Sequence, residues 1–251
     1  MDNTTPEFSR EVDVPPSTKD EIMCLGYPSL ENIFERDCYV MSYNLERKVA
    51  KWVQECLTSN HLNHSYLTRH DAIEFKEDRG INGVASLADC TDWQENNYER
   101  GHLAAAANHR YNRKAYYSTF LISNIAPMHK KVNNLISKIE RQGRKFVKDY
   151  GNVHIITGTI FHTERKEPIF VREGSEVQVP DAIFKILAIK DERNRCKVTG
   201  YVIENSLDVD DKDIKNSRKT LLEIRYLTGL NLLSQVPKEN IVEDRIRNSG
   251  C

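Results

Sequence analysis

The sequence lacks any apolar run of the roughly 20 residues that a membrane-spanning helix needs, so we expect no membrane span. It also lacks an excess of either charge, because 36 basic and 37 acidic side chains leave a formal net charge of −1. Proteins that bind nucleic acids are often basic overall, so this balance counts mildly against that class. A local basic patch can still bind a polyanion, and ten Lys and Arg residues lie between positions 110 and 148.

None of the six cysteines is spaced as Cys-x-x-Cys, which argues against a structural zinc site. No secretory signal peptide is visible, so we expect free thiols in a reducing, intracellular compartment. The first twenty residues carry five acidic side chains, whereas a mitochondrial transit peptide is basic and poor in acids. We therefore identify no transit peptide in this sequence.

The chain is long enough to bury a sizeable core without disulfide bonds. Residues 1–22 begin with a polar, proline-containing stretch, which predicts a disordered N-terminal arm. We predict that residues 23–251 form a single domain.

Short apolar runs predict several strands. Residues 38–43 and 49–57 are predicted to pair as a β-hairpin, although the second run could also be helical. The apolar run 120–125 predicts a buried strand that Pro127 ends. Four later runs also have the composition of strands, at 153–161, 177–179, 182–189 and 197–203.

Helical patterns lie between these strands. Residues 133–150 form an amphipathic pattern that Gly151 ends, and residues 217–227 predict a late helix before Gly229. Shorter helical segments are predicted at 104–107 and 112–119. Because strands and helices do not alternate regularly, the pattern predicts an α+β fold.

The segment 98–110 carries the clearest chemical signal. His102 stands two residues after Arg100, which suggests proton transfer next to a bound anion. Gly101 between them permits a tight turn or a close approach to a ligand. A lone histidine is more often structural than catalytic, and His109 competes for the same role.

Asn133 and Glu140 lie seven residues apart, nearly two helical turns, so both face the same side of the predicted helix. An amide oxygen and a carboxylate suit Mg²⁺, with Glu140 orienting its waters. In the structural alternative, Asn133 caps the helix and Glu140 pairs with Arg144. Asn124 could be a buried, hydrogen-bonded amide or a site residue that holds a histidine or a water.

Two segments also carry a family resemblance: 100–110, Arg-Gly-His-Leu-Ala-Ala-Ala-Ala-Asn-His-Arg, and 119–127, Thr-Phe-Leu-Ile-Ser-Asn-Ile-Ala-Pro. They resemble the catalytic stretch of the DNA/RNA non-specific endonucleases with a ββα-metal site, in particular their endonuclease G-like members. The likeness continues through 133–140, 152–158 and 177–187, and it covers residues 24–235. It implies a mixed, mainly antiparallel sheet with a ββα-metal catalytic core.

By this resemblance, His102 is the general base that activates water, Asn133 binds Mg²⁺ (Mn²⁺ being an alternative) and Glu140 steadies the metal's waters. Arg100 and Asn124 support the phosphate and the site. The implied activity is metal-dependent endonucleolytic hydrolysis of DNA and RNA with little sequence preference. The family is commonly dimeric and often mitochondrial, with release to the nucleus, so the resemblance also implies a homodimer and those compartments.

The sequence departs from the family pattern at two places. Glu99 stands where the motif has Asp, and its extra methylene could shift a bracing hydrogen bond; a misplacement of about 1 Å can cost on the order of a hundredfold in rate. The segment 127–140 is one residue shorter than in the family, which leaves Asn134 as an alternative to Asn133. Two other functions stay open: a catalytically impaired nucleic-acid-binding homologue, and an interaction protein that docks through residues 58–97.

Overall fold

The computed structural model describes residues 13–86, 93, 96–162, 168–193, 195–210 and 214–243. Eight strands form the main sheet: β1 (Ile33–Arg36), β2 (Tyr39–Asn44), β3 (Val49–Thr58), β6 (Asn152–Ile160), β7 (Ala182–Lys190), β8 (Cys196–Glu204), β9 (Arg218–Lys219) and β10 (Ile241–Glu243). Two strands form a separate ribbon: β4 (Tyr98–His102) and β5 (Ile125–His129). The helices are α1 (Lys19–Ile22), α2 (Ser59–Asn63), α3 (Arg113–Ser118), α4 (Lys130–Tyr150) and α5 (Leu221–Thr228).

The main sheet has the strand order β1-β2-β3-β6-β7-β8-β10, and β9 pairs with β8 outside this path. Every neighbouring pair is antiparallel except β8 and β10, which are parallel. The predicted α+β fold with a mixed, mainly antiparallel sheet is therefore confirmed.

The central strands are covered on both faces, as their long apolar runs require. On β7, Ile183 and Leu187 pack in the cluster that contains the apolar side of α4. The alternate residues Phe184 and Ile186 pack in the opposite cluster, with residues of α1 and α5. Each fully buried side chain of this size stabilises the fold by about 1.5–3 kcal/mol.

The long helix α4 confirms the predicted amphipathic pattern and begins three residues earlier than predicted, at Lys130. Its buried face includes Val132, Leu135, Ile136, Ile139 and Val147. Gly151 ends it in the left-handed conformation, at φ 87°, where glycine carries no steric cost. The helix lies along β6 and β7 and carries residues 133 and 140 on one side.

The hairpin predicted from residues 38 to 57 is confirmed, because β2 and β3 pair antiparallel. The strand predicted at 120–125 is wrong: a 3₁₀ turn occupies Ile122–Asn124, and β5 begins only at Ile125. Pro127 lies inside β5 instead of ending a strand, which a two-stranded ribbon tolerates because its outer edge needs no further strand.

Asn205 closes that outer edge of β5. Its Nδ2 donates to the Pro127 carbonyl at 3.0 Å, and its Oδ1 accepts from the His129 N–H at 3.0 Å. One side-chain amide thus forms the hydrogen bonds that a third strand would form.

Two smaller predictions need correction. Residues 177–179 are not a strand, and the pairing there is an isolated bridge between Phe170 and Gln178. The late helix begins at Leu221 rather than at residue 217, because Arg218–Lys219 forms β9.

Of the predicted N-terminal arm, residues 1–12 lie outside the described part of the chain. Residues 13–22 contact the domain: the Val14 N–H donates to the Tyr111 carbonyl at 3.2 Å, and Ile22 is buried. Cys24, Cys38, Cys56 and Cys196 are free thiols, while Cys90 and Cys251 lie outside the described residues. None of the described helices combines the length and the apolar character needed to cross a membrane.

Candidate active site

The ribbon and the long helix follow one another as a β-β-α unit. β4 pairs antiparallel with β5, and α4 starts directly after β5. In this register Glu99 lies opposite Met128, and His102 lies opposite Ile125. The fold therefore joins the motif 99–102 to the helix that carries residues 133 and 140, as the predicted ββα core requires.

Gly101 is needed for packing within this ribbon. A Cβ built on it would lie 2.3 Å from the Met128 Sδ and 2.7 Å from the Met128 Cγ. Real Cβ atoms do not approach other atoms so closely. Gly101 therefore lets the Met128 side chain cross over β4, and the tight turn suggested by the sequence is not its role here.

His102 stands between two aromatic rings. The centroid of its imidazole lies 5.6 Å from that of Phe75 and 5.2 Å from that of Phe120, the latter nearly edge-on at 86°. Burial lowers the pKa of His102 to about 4. The imidazole is therefore neutral near pH 7, as a general base must be.

The Nε2 atom of His102 is buried, and no described residue forms a hydrogen bond with it. A buried polar atom without a partner is uncommon in folded proteins and calls for an explanation such as a site for water or ligand. A neutral imidazole also keeps a lone pair on one nitrogen, which can accept a proton.

His109, the other candidate base, is paired with a buried carboxylate. It is fully buried, and its Nε2 lies 2.7 Å from the Glu55 Oε2. Burial on its own lowers the pKa of His109, but the neighbouring Cys38 and Glu55 raise it to about 10. Glu55 also accepts from the Asn108 Nδ2 at 3.1 Å. His109 is therefore a structural imidazolium near pH 7, which leaves His102 as the candidate base.

Arg100 is half-buried, and its guanidinium lies 5.3 Å from the centroid of the Phe75 ring. Phe75 thus contacts both the arginine and the histidine of the motif. Phe75 lies in the loop-rich region 58–97 and was not predicted as a site residue. An aromatic residue in a polar segment was the available signal. Phe120 was assigned only to the core.

Glu99 is hydrogen-bonded to the predicted metal ligand: the Asn133 Nδ2 donates to the Glu99 Oε2 at 2.8 Å. Because the amide nitrogen is engaged, the amide oxygen is the atom left for a cation. Asn134 is exposed, so this contact favours Asn133. The helix N-cap is His129, and the alternative in which Asn133 caps the helix is therefore wrong.

Glu140 is buried nearly two turns further along α4, and its Oε1 lies 3.6 Å from the Nζ of Lys185 on β7. Burial raises the pKa of Glu140, and the charge of Lys185 opposes that rise. Arg144 donates instead to the Asn108 Oδ1 at 2.7 Å, so the predicted Glu140–Arg144 pair is not the direct contact. Lys185 also donates to the Leu103 carbonyl at 3.3 Å.

Asn124 is a buried, fully hydrogen-bonded amide. Its Oδ1 accepts from the Ala104 N–H at 2.8 Å, and its Nδ2 donates to the carbonyls of Ala104 at 3.0 Å and Thr119 at 2.9 Å. It fixes the chain just after His102 and does not bond to the imidazole. Its place in the site is therefore indirect.

The donors present fit a hard cation with few protein ligands. Across the described ranges, no three His, Cys, Asp or Glu side chains come together as a metal site. The Asn133 oxygen is available, and Glu140 lies on the same helix. Mg²⁺ keeps several waters and binds proteins through one or two oxygen ligands, whereas structural zinc needs four nitrogen or sulfur ligands.

A basic cleft of about 440 Å³ lies beside the C-terminal half of α4. Its basic lining side chains are Arg110, Arg141, Arg144, Lys145 and Lys148. The Arg110 Nε is buried without a hydrogen-bond partner among the described residues. Eight residues of helix separate Glu140 from Lys148, about 12 Å at 1.5 Å per residue. The cleft therefore borders the same helix that carries Asn133 and Glu140.

Comparison with known proteins decides the family. The family model of the DNA/RNA non-specific endonucleases matches residues 21–239. The chain belongs to this family. It is an endonuclease, a hydrolase of the endonuclease G-like group.

Two relatives are mitochondrial endonuclease G proteins. The chain is 29% identical to that of Caenorhabditis elegans over 247 residues, 94% of this chain and 79% of the relative. It is 31% identical to that of Homo sapiens over 193 residues, 74% of this chain and 64% of the relative, and so spans less than two thirds of the human protein.

A solved structure shows the same fold. The crystal structure of the EndoG/EndoGI complex superposes with a TM-score of 0.78 at 26% identity. The match covers 92% of this chain and 97% of that chain.

Proposed function

We propose that this endonuclease is metal-dependent, and that it hydrolyses phosphodiester bonds of DNA and RNA without sequence preference. One observation carries the proposal: a neutral His102 with an unpartnered buried nitrogen stands on the same ββα unit as Asn133 and Glu140. This unit combines a base, an oxygen ligand and a carboxylate, the groups that phosphodiester hydrolysis needs.

His102 takes the proton of the attacking water. Its pKa of about 4 keeps it free to accept that proton throughout the neutral range. General base catalysis contributes on the order of a hundredfold to ten-thousandfold in rate. The aromatic frame of Phe75 and Phe120 excludes water from one side of the ring and keeps its orientation fixed.

Asn133 would hold Mg²⁺ (or Mn²⁺) through its amide oxygen, while Glu140 orients waters around it. When bound, the cation supplies charge neutralisation for the phosphate and the leaving oxygen. Glu99 fixes the orientation of the Asn133 amide through the 2.8 Å hydrogen bond. Arg100 provides a cation for the phosphate, and Asn124 keeps the segment after His102 in place.

The basic cleft supports a substrate that is bound by its backbone. Lys and Arg contacts to phosphates position a nucleic acid but do not read its bases. The five cations of the cleft can therefore hold flanking phosphates of either DNA or RNA. This local cluster of basic side chains explains how a chain of near-neutral net charge can bind a polyanion.

The impaired-homologue alternative rested on Glu99 or on the shortened segment 127–140. The Glu99 carboxylate is within hydrogen-bond distance of Asn133, so the added methylene is accommodated by a direct contact. This geometry favours the active enzyme.

We further propose a mitochondrial location with access to the nucleus, since relatives carry mitochondrial names. We also propose a homodimer and a single nuclease domain from residue 23 onward.

Supercoiled plasmid and a structured RNA, each incubated with the purified protein in Mg²⁺ or in EDTA, test the proposal. We expect nicking of both substrates in Mg²⁺, none in EDTA, and loss of cleavage in His102→Ala. Full Mg²⁺-dependent cleavage by His102→Ala would show that the base is another group. Tight binding without cleavage by folded wild-type protein would instead establish the impaired homologue.

A further inference from the structure

Lys185 occupies a position in β7 that the strand pattern reserves for an apolar residue. Its side chain lies on the same face as Ile183 and Leu187, which belong to the core beneath α4. Its exposed fraction is 0%. A buried ammonium group is costly unless charged and polar partners compensate it, so a lysine retained here calls for an explanation.

The partners of Lys185 belong to two different segments of the site. Its Nζ donates to the carbonyl of Leu103, the residue that follows His102, at 3.3 Å. The same Nζ lies 3.6 Å from the Glu140 Oε1 on α4. One side chain from the main sheet thus joins the end of β4 to the middle of the helix.

A second connection joins β4 to α4 on the other side of His102 in the chain. There, Asn133 donates to Glu99 at 2.8 Å. The two contacts flank the histidine, one three residues before it and one directly after it. Both contacts therefore connect the segment around His102 to α4.

We propose that Lys185 is a positioning residue for hydrolysis: it holds the Leu103 backbone and the Glu140 carboxylate together so that His102 faces the cation-binding side of α4. This inference rests on the proposed function of His102 and Glu140. One N–H of the ammonium group donates to the Leu103 carbonyl, and its charge forms an ion pair with the Glu140 carboxylate at 3.6 Å. A thioether of similar volume would fill the space but make neither contact.

Lys185→Met tests this positioning role, with Lys190→Met on the same strand as the matched control. Lys190 is half-buried at the end of β7. We expect Lys185→Met to lower kcat on the order of tenfold to a hundredfold while KM for DNA and DNA affinity in EDTA stay unchanged. Lys190→Met should retain wild-type kcat.

A second readout does not depend on turnover. The His102 ring-proton resonance of the metal-free protein, assigned by its absence in His102→Ala, should shift in Lys185→Met and stay in place in Lys190→Met. An unchanged resonance together with a kcat equal to that of Lys190→Met would overturn the proposal. A fall in kcat that merely follows the folded fraction would also overturn it.

Lys185→Met leaves Glu140 buried without its partner, which could prevent folding. The double variant Glu140→Gln/Lys185→Met removes that charge, and its His102 resonance is compared with that of Glu140→Gln alone. A shift between the two supports the role of Lys185, and identical spectra contradict it. If wild-type protein cleaves nothing, the proposed function fails, while these spectra still decide whether Lys185 positions His102.

Discussion

The half of the site around His102 is built from aromatic rings, whereas the half on α4 is built from polar and charged side chains that contact partners on other strands. Phe75 and Phe120 pack against the imidazole, and burial lowers the pKa of His102 to about 4. On the helix, Asn133 bonds to Glu99, and Glu140 lies near Lys185. Burial thus acts in two ways. In the aromatic half it keeps His102 neutral, and in the α4 half the buried cation of Lys185 supports the Glu140 carboxylate.

Removing Asn133, the proposed Mg²⁺ ligand, should have the largest effect on cleavage, because the α4 half of the site then loses its amide oxygen for the cation. Loss of an outer-shell partner at a metal site typically costs about 10–100-fold, so Asn133→Ala should lower cleavage at least on the order of a hundredfold. Asn134→Ala is the matched control and should cleave like wild type, since Asn134 is exposed. Plasmid nicking rates over a Mg²⁺ series measure both. Equal losses in the two variants would contradict the assignment of Asn133.

Shortening Glu99 should have the next largest effect. Glu99→Asp restores the family residue but withdraws the carboxylate from Asn133, so we expect cleavage to fall about tenfold rather than rise. Glu99→Gln keeps the length and should lose less, because its amide oxygen can still accept from Asn133. A faster Glu99→Asp enzyme would show that the hydrogen bond to Asn133 is not needed.

Replacing Phe75 in the aromatic half of the site should change the pH dependence of kcat/KM. As the proposed general base, His102 acts only when unprotonated, so we expect wild-type kcat/KM to rise with pH through about 4 and to be flat above. Phe75→Ala admits water, which moves the pKa of His102 upward toward its ordinary value of 6.5. We expect kcat/KM at pH 5 to fall on the order of tenfold and to change little at pH 8.

The control for that profile is Phe146→Ala, which alters a partly buried ring on α4 away from His102. Its kcat/KM profile should keep the wild-type midpoint. A Phe75→Ala profile with an unchanged midpoint and a uniform loss at every pH would show that the ring orients His102 without setting its pKa.

The smallest effect on activity is expected at the Glu55–His109 pair, which should affect stability instead. Breaking a buried pair typically costs about 3–5 kcal/mol, so His109→Gln should lower the urea midpoint of unfolding. The raised pKa of His109 means that its contribution is complete below pH 6.5 and is lost as pH rises through about 10.

Glu55 behaves in the opposite sense. The His109 contacts outweigh burial and hold the pKa of Glu55 below its ordinary value of 4.5, so its contribution is lost as pH falls below that value. The difference in urea midpoint between wild type and His109→Gln should therefore be greatest between pH 4.5 and 6.5. A constant difference from pH 4 to 10 would show that the pair is not ionic.

Local patterns predicted much of this architecture. Residues 38–57 and 133–150 are long, periodic segments, and their hairpin and helix followed from the sequence. The spacing of Asn133 and Glu140 likewise placed both on one helix. Pro127 misled the strand assignment, because whether a proline is tolerated in a strand depends on which edge faces a neighbour, and that is a tertiary property.

The contacts that Phe75 and Lys185 make with the site could not be predicted from the sequence. Phe75 precedes His102 by 27 residues, and Lys185 follows Leu103 by 82. No periodicity relates such distant positions. Lys185 did leave one signal, a single lysine in the otherwise apolar run 182–189, at a position that alternation assigns to the inner face.

The amide of Asn205 has a consequence for the protein in concentrated solution. An open strand edge offers unpaired N–H and C=O groups on which another chain can pair, which leads to aggregation. At β5, the Asn205 side chain occupies the Pro127 carbonyl and the His129 N–H. The β4–β5 ribbon therefore stands apart from the main sheet without offering β5 as a template, and Asn205→Ala should show as turbidity on storage before any change in catalysis.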